Sequence, residues 1–77
     1  MLNLAKRELL PIGTRVTVKA SKGAAKRYAN MTGVVSEYGH VMAAFDHLIK
    51  LDQMGGEARW FSLRELDWEG KDVNPAS

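Results

Sequence analysis

Cysteine is absent from this chain of 77 residues. Its absence excludes disulfide bonds and thiolate metal sites, and it fits a reducing compartment. The chain also lacks an apolar run of the roughly 18 residues that a membrane span needs. Lys6 and Arg7 interrupt the leucines of the N-terminal segment, where a signal peptide would need about 7–15 uninterrupted apolar residues. We therefore expect a cytoplasmic protein that does not contact a membrane.

Catalytic and metal-binding motifs are missing as well. The serines lie outside any nucleophile motif, and Gly55-Gly56 alone does not make a phosphate-binding loop. His40 and His47 do not form a cluster of the about four ligands that zinc requires. The sequence therefore predicts neither an enzyme nor a site for a cofactor or a metal.

The chain is short enough to form one domain with one small core. A chain of this size buries only about 60% of the surface that its unfolded form exposes, so its stability is marginal. Because disulfides are excluded, association into a homodimer is one way to add to this core, and it remains open from the sequence.

Charge is distributed unevenly along the chain. Residues 1–30 contain seven Lys or Arg against one acid, and residues 31–77 contain four against eight. The net charge of +2 hides this asymmetry, which points to a polyanionic or acidic partner. The densest cationic cluster consists of Lys19, Lys22, Lys26 and Arg27.

Short β-type segments separated by turns make up most of the sequence. Alternating residues such as Val16 and Val18 predict a strand, and Gly39-His40 between two such runs indicates a two-residue hairpin turn. The predicted strands are residues 14–19, 32–38, 41–46 (with Val41, Ala43 and Phe45 on one face), 57–61 and 66–68.

The remaining segments are less regular. Residues 2–10 have helical spacing, residues 20–31 suit a loop or one helical turn, and residues 47–55 fit either a strand extension or a helical turn. Residues 62–65 suggest a short turn. The sequence thus predicts a mainly all-β protein, and at this size a closed small barrel is favoured because closure removes exposed strand edges.

The order of these elements resembles the SH3-like small barrels, particularly the KOW and Tudor-type members. The resemblance rests on residues 12–16 (Ile-Gly-Thr-Arg-Val), residues 32–35 (Thr-Gly-Val-Val), the hairpin ending in residues 41–46, and residues 61–66 (Phe-Ser-Leu-Arg-Glu-Leu). It implies a five-stranded barrel with a 3₁₀ turn before the last strand. It also implies a barrel over residues 12–68, with an N-terminal arm at 1–11 and a flexible tail at 69–77. The aromatic residues do not form a cage motif, so methyl-lysine recognition is not implied.

The basic cluster is the main candidate for a binding site. Lys19, Lys22, Lys26 and Arg27 could neutralise phosphates, Arg15 would extend the patch, and Tyr28 could stack on a base. These residues favour a non-enzymatic domain that binds nucleic acid or a nucleoprotein assembly. The alternative is a protein-interaction module, or a small regulator that docks on a larger enzyme through an acidic protein surface.

Trp60 and Phe61 add an aromatic pair to the candidate site. As neighbours in a strand they point to opposite faces, so one ring is expected in the core and the other at the surface. Parity with Ala58 favours Trp60 inside, whereas the resemblance favours Phe61 inside. The exposed ring would contact a partner or a base.

One enzyme family shares the small-barrel architecture. Residues 19–25 (Lys-Ala-Ser-Lys-Gly-Ala-Ala) are loosely similar to a loop of the type II dihydrofolate reductases. The Val-Gln-Ile-Tyr active-site strand of those enzymes is replaced here by Ala58-Arg59-Trp60-Phe61. The resemblance to them is therefore confined to the fold and to this loop.

Overall fold

A computed structural model describes residues 9–20 and 23–70 of the chain, and they form a mainly β structure. The five strands are β1 (Arg15–Val18), β2 (Thr32–Tyr38), β3 (His47–Leu51), β4 (Ala58–Phe61) and β5 (Leu66–Asp67). Short 3₁₀ turns lie at Ala24–Tyr28, Asp52–Met54 and Leu63–Glu65. The predicted mainly β class is confirmed, including five strands and the 3₁₀ turn before the last strand, but the sheet is a curled half-barrel where a closed barrel was expected.

The strands form one antiparallel sheet in the order β4-β3-β2-β1-β5. The sheet curls into a half-barrel, with β4 and β5 at its two ends. The 3₁₀ turn Leu63–Glu65 joins these ends along the chain, and a capping box between Ser62 and Glu65 fixes where it begins. Lys19, directly after β1, donates its backbone N–H to the Glu65 carbonyl oxygen at 2.7 Å.

Alternate residues of the strands supply the core. The inward-facing positions are nearly inaccessible and mostly apolar, as the period of two in β-strands requires. The most deeply buried apolar side chains are Val16, Val18, Val35, Ile49, Leu51, Phe61 and Leu66. This packing accounts for the alternation that the sequence shows around Val16 and Val18.

The third strand is not where the sequence predicted it. Residues 41–46 form a loop, and β3 follows at His47–Leu51. The prediction of a two-residue hairpin at Gly39-His40 is therefore wrong, because the connection between β2 and β3 runs over residues 39–46. The ends of this connection are joined by a hydrogen bond from the Gly39 N–H to the Asp46 carbonyl oxygen at 3.0 Å. The physical reason is that β3 buries His47, Ile49 and Leu51, a stronger alternating set than residues 41–45.

His47 is a buried polar residue that takes a core position. Its Nε2 accepts the backbone N–H of Leu10 at 3.0 Å, so Nδ1 carries the ring proton and donates to Asp46 Oδ1 at 2.7 Å. The Tyr38 ring packs edge-on against the imidazole, and its hydroxyl donates to the Leu10 carbonyl oxygen at 2.5 Å. Leu10 is thereby tied to the sheet by both of its backbone polar groups.

Several predictions fall on residues outside the described part. The helical spacing of residues 2–10 lies almost entirely there, as do Lys22 and most of the C-terminal tail. Among residues 9–20 and 23–70, no helix has the length and apolar character needed to cross a membrane.

Candidate functional site

The 3₁₀ turn Ala24–Tyr28 carries two cations of the sequence cluster. Gly23 begins the turn with φ of 78°, in the left-handed region that glycine tolerates best. Ala25 is buried and anchors the turn, while Lys26 and Arg27 are exposed. The charges are therefore presented on a packed turn.

Backbone hydrogen bonds connect the end of this turn to β1. Asn30 N–H donates to the Val18 carbonyl oxygen at 2.8 Å, and Val18 N–H donates to the Met31 carbonyl oxygen at 2.8 Å. Lys19, which directly follows β1, is also exposed. In the described part of the chain, the ion pairs involve other cations, so Lys19, Lys26 and Arg27 have no described carboxylate within salt-bridge distance. We call these three side chains the basic surface.

Tyr28 ends the turn and is held in place by two neighbours. Its ring packs edge-on against Phe61, with ring centroids 5.8 Å apart, and the Arg59 guanidinium lies 5.9 Å over its centroid. The Arg59 Nε–H also donates to the Tyr28 hydroxyl at 3.2 Å. Phe61 and Arg59 thus hold the half-buried Tyr28 ring in one orientation.

Arg59 is a site residue that sequence reasoning missed. Its hydrogen bond to the Tyr28 hydroxyl is the main reason that its pKa is raised above the ordinary arginine value, and its hydrogen bond to Glu57 is the second. Arg59 therefore stays charged at all working pH values. Glu57 Oε1 accepts from Arg59 Nη2 at 3.0 Å and offsets this charge. Arg59 therefore orients Tyr28 more than it adds net positive charge.

The structure decides which of the two adjacent aromatic rings is exposed. Phe61 is 1% exposed and belongs to the core, whereas Trp60 is 46% exposed. The prediction from parity with Ala58 was wrong, and the inference from family resemblance was right. Ala58 and Trp60 do share a face, but it is the outer face, where they lie opposite Lys50 and Leu48.

Trp60 lies beside the loop of residues 39–46, which carries further exposed apolar side chains. Phe45 is 54% exposed and Met42 is 82% exposed. Two hydrogen bonds to His40 order the loop. The Met42 N–H donates to His40 Nδ1 at 3.0 Å, and the Ala43 N–H donates to the His40 carbonyl oxygen at 2.9 Å. Phe45 had been predicted on a strand face, so its exposure follows directly from the shift of β3.

Two adjoining depressions share Phe45 and Trp60, and we call them together the aromatic groove. One, of about 330 Å³, extends over the loop, and the other, of about 210 Å³, extends to the basic turn. The second is lined by Ala25, Tyr28, Phe45, Arg59, Trp60, Phe61 and Glu65. Lys26 and Arg27 lie between the lining residues Ala25 and Tyr28 in the chain, so the groove reaches the turn that carries these two cations.

Arg15 belongs to a different surface. Its guanidinium pairs with the Asp52 carboxylate, which also accepts from the Thr32 hydroxyl at 2.8 Å. The hydrogen bond from Arg15 contributes most to holding the pKa of Asp52 below its usual value, and the hydrogen bond from Thr32 contributes next. Asp52 therefore stays ionised at neutral pH, and its charge offsets that of Arg15 until acid protonates it.

The described titratable groups do not form a cluster that could hold a metal ion. Within residues 9–20 and 23–70, no group of three or more His, Asp or Glu side chains has the arrangement to hold a metal ion. The Asp46–His47 pair has the geometry of an activated imidazole, but His47 is fully buried and Leu10 N–H occupies its Nε2. The imidazole is thus closed to a substrate.

Comparison with known proteins supports the fold. The sequence matches no family model, and it has no significant match among curated proteins. Its structure is similar to the NMR structure of the Bacillus subtilis protein YorP, with a TM-score of 0.70 and 18% sequence identity. The match covers 97% of this chain and 87% of that one. At this identity the likeness shows a shared fold alone.

Proposed function

We propose that this protein is a small non-enzymatic domain that binds nucleic acid, alone or in a nucleoprotein assembly, through its basic surface. The observation that carries the proposal is the exposure of Lys19, Lys26 and Arg27, because the last two lie on a turn whose residues Ala25 and Tyr28 line the aromatic groove. Lys22 lies in the same segment of the sequence and would add a fourth charge. Cations that are not neutralised by nearby carboxylates are free to replace the counterions of a phosphate backbone.

The architecture is compatible with this function. A curled five-stranded sheet with a 3₁₀ turn before its last strand supports placing the domain among the SH3-like small barrels, near the KOW and Tudor-type members. These barrels serve many different partners, so the fold alone does not decide the ligand. The unequal charge of the two halves of the chain favours a polyanion.

A protein-interaction module is the second candidate. The observation in its favour is the exposed apolar group on and beside the 39–46 loop, with Met42, Phe45 and Trp60 as its largest members. Such rings can anchor a protein partner, and the basic surface would then face acidic side chains. A regulator that docks on a larger enzyme would use the same surface.

Salt dependence separates the two candidates. If phosphates are the ligand, the logarithm of the binding constant should fall linearly with the logarithm of the salt concentration, by about 0.7–0.9 per contact. Replacing Lys26 and Arg27 with alanine together should make that slope shallower by about 1.4–1.8, and should weaken all sequences alike. Fluorescence anisotropy with labelled oligonucleotides, repeated over a range of salt concentrations, measures both quantities.

Arg15→Ala provides the matched control. Arg15 is an exposed arginine like Arg27, but Asp52 already offsets its charge and it lies away from the groove. We expect Arg15→Ala to change the salt slope by less than half as much as Arg27→Ala. Equal effects of the two variants would contradict the proposed surface, and absence of binding at low salt would favour the protein-interaction module.

A further inference from the structure

The aromatic groove and the basic surface meet at one 3₁₀ turn. Phe45 and Trp60 are each about half exposed, although large rings are normally covered in a small domain. Both line the depression that reaches the turn carrying Lys26 and Arg27. Two accessible aromatic rings and the turn that carries these cations therefore border the same depression.

The backbone around Trp60 is shaped to hold the indole against the sheet. A Cβ atom on Gly39 would lie 3.2 Å from the Trp60 ring and 3.1 Å from the Phe45 carbonyl oxygen. Glycine at this position therefore allows the ring and the loop to approach β2 closely. The indole is packed along part of its surface and accessible along the rest, so its orientation is fixed before a ligand binds.

From this arrangement we propose that the aromatic groove accepts unpaired bases, so that the preferred ligand is a single-stranded nucleic acid. This inference rests on the proposed function and specifies its ligand. Phosphates lie on Lys19, Lys26 and Arg27, while successive bases stack on the rings of Phe45 and Trp60. Stacking of this kind contributes about 1–3 kcal/mol per base and tolerates any sequence, because every base has a π-face.

The charged side chains in and near the groove are compatible with a single-stranded nucleic acid. Glu65 also lines it, but its carboxylate accepts the Ser62 backbone N–H at 3.0 Å and is half buried. Glu57 is paired with Arg59, and Arg64 lines a further depression that shares Phe45 and Glu65. With the basic turn at its border, the groove complements a chain that carries phosphates outside and apolar ring faces inside. A duplex keeps its base faces stacked and could use only the cations.

Binding of matched ligands tests the inference. A 12-nucleotide single strand and a 12-base-pair duplex are compared at one salt concentration with the intact chain, and we expect the single strand to bind at least about tenfold more tightly. Phe45→Ala and Trp60→Ala should each weaken single-strand binding by about fivefold to a hundredfold, and should leave duplex affinity and the salt slope unchanged. Emission of the intact protein should be quenched as the single strand binds, and the quenching should be largely lost in Trp60→Phe.

Two further variants keep this test interpretable. Ile12→Ala truncates an exposed apolar side chain that does not line the groove, so it should not change either affinity. Trp60→Phe retains a ring, so it should fold and keep most of the single-strand affinity even if Trp60→Ala unfolds. Circular dichroism and thermal melting check that each variant is folded.

The outcomes separate this inference from the proposed function. Equal affinity for the duplex, or effects of Phe45→Ala no larger than those of Ile12→Ala, would overturn the inference and leave salt-dependent binding intact. Lack of salt-dependent binding to either ligand would overturn both. Sedimentation showing a dimer that Phe45→Ala converts to a monomer would also overturn the inference, because a second copy of the chain would then occupy the groove.

Discussion

Val18→Asp should remove most or all of the stability of the folded state. Val18 is 0% exposed, and β1 lies between β2 and β5 in the sheet. An uncompensated charge in such a position costs about 3–5 kcal/mol or more, because no partner replaces its lost hydration. At about 0.05–0.15 kcal/mol per residue, a chain of 77 residues has a total stability of about 4–12 kcal/mol. Urea titration followed by circular dichroism should show an unfolding midpoint close to zero urea, or no cooperative transition.

Val18→Thr is the control for shape. It places a hydroxyl of nearly the same volume at this site, so it should lower the free energy of unfolding by about 1–3 kcal/mol and keep a cooperative transition. A folded Val18→Asp protein with nearly unchanged stability would contradict the position of Val18 in the core.

Gly33→Ala should also lower the free energy of unfolding strongly, but through a steric clash and not through a buried charge. Gly33 is buried in β2 opposite Leu51, where an added Cβ would lie 2.8 Å from Ile49 Cγ2 and still closer to the Lys50 carbonyl oxygen. The oxygen belongs to the backbone of β3, so relief of this clash requires the two strands to separate. Overpacking of this kind costs about 3 kcal/mol or more where the backbone must move, and thermal melting should detect it.

A neighbouring position distinguishes this clash from a general intolerance of β2. Val34 faces outward between Arg15 and Lys50 and is half buried. Val34→Thr retains the branched shape, so we expect a change of less than about 1 kcal/mol. If Gly33→Ala melts at the same temperature as the unchanged protein, the register between β2 and β3 is wrong.

The sequence predicts most of the strands because their inward positions alternate clearly. Val16 and Val18 define β1, β2 begins and ends where predicted, and the 3₁₀ turn Leu63–Glu65 agrees with its family resemblance. The third strand was misplaced because its first inward residue is histidine. The long-range bond from Leu10 and the local bond to Asp46 satisfy both ring nitrogens of His47 and make this polar residue acceptable in the core.

The candidate site was predicted in part for a related reason. Charge density alone identified Lys19, Lys26 and Arg27, since surface charge is readable from composition. Phe45 and Arg59 were missed because their roles depend on which elements the fold brings together. Recognition of the alternating burial of His47, Ile49 and Leu51 would have left residues 41–46 as a loop, and its apolar side chains would then have been expected at the surface.

Titration of the isotope-labelled protein with a short single-stranded oligonucleotide tests the central claim most directly. In two-dimensional NMR spectra, the account predicts progressive shifts of the Lys19, Lys26 and Arg27 amides together with the Trp60 indole N–H. The Trp68 indole serves as an internal reference, because Trp68 lines a separate depression with Arg15. Shifts centred on Arg15 and Trp68, or none at low salt, would contradict it.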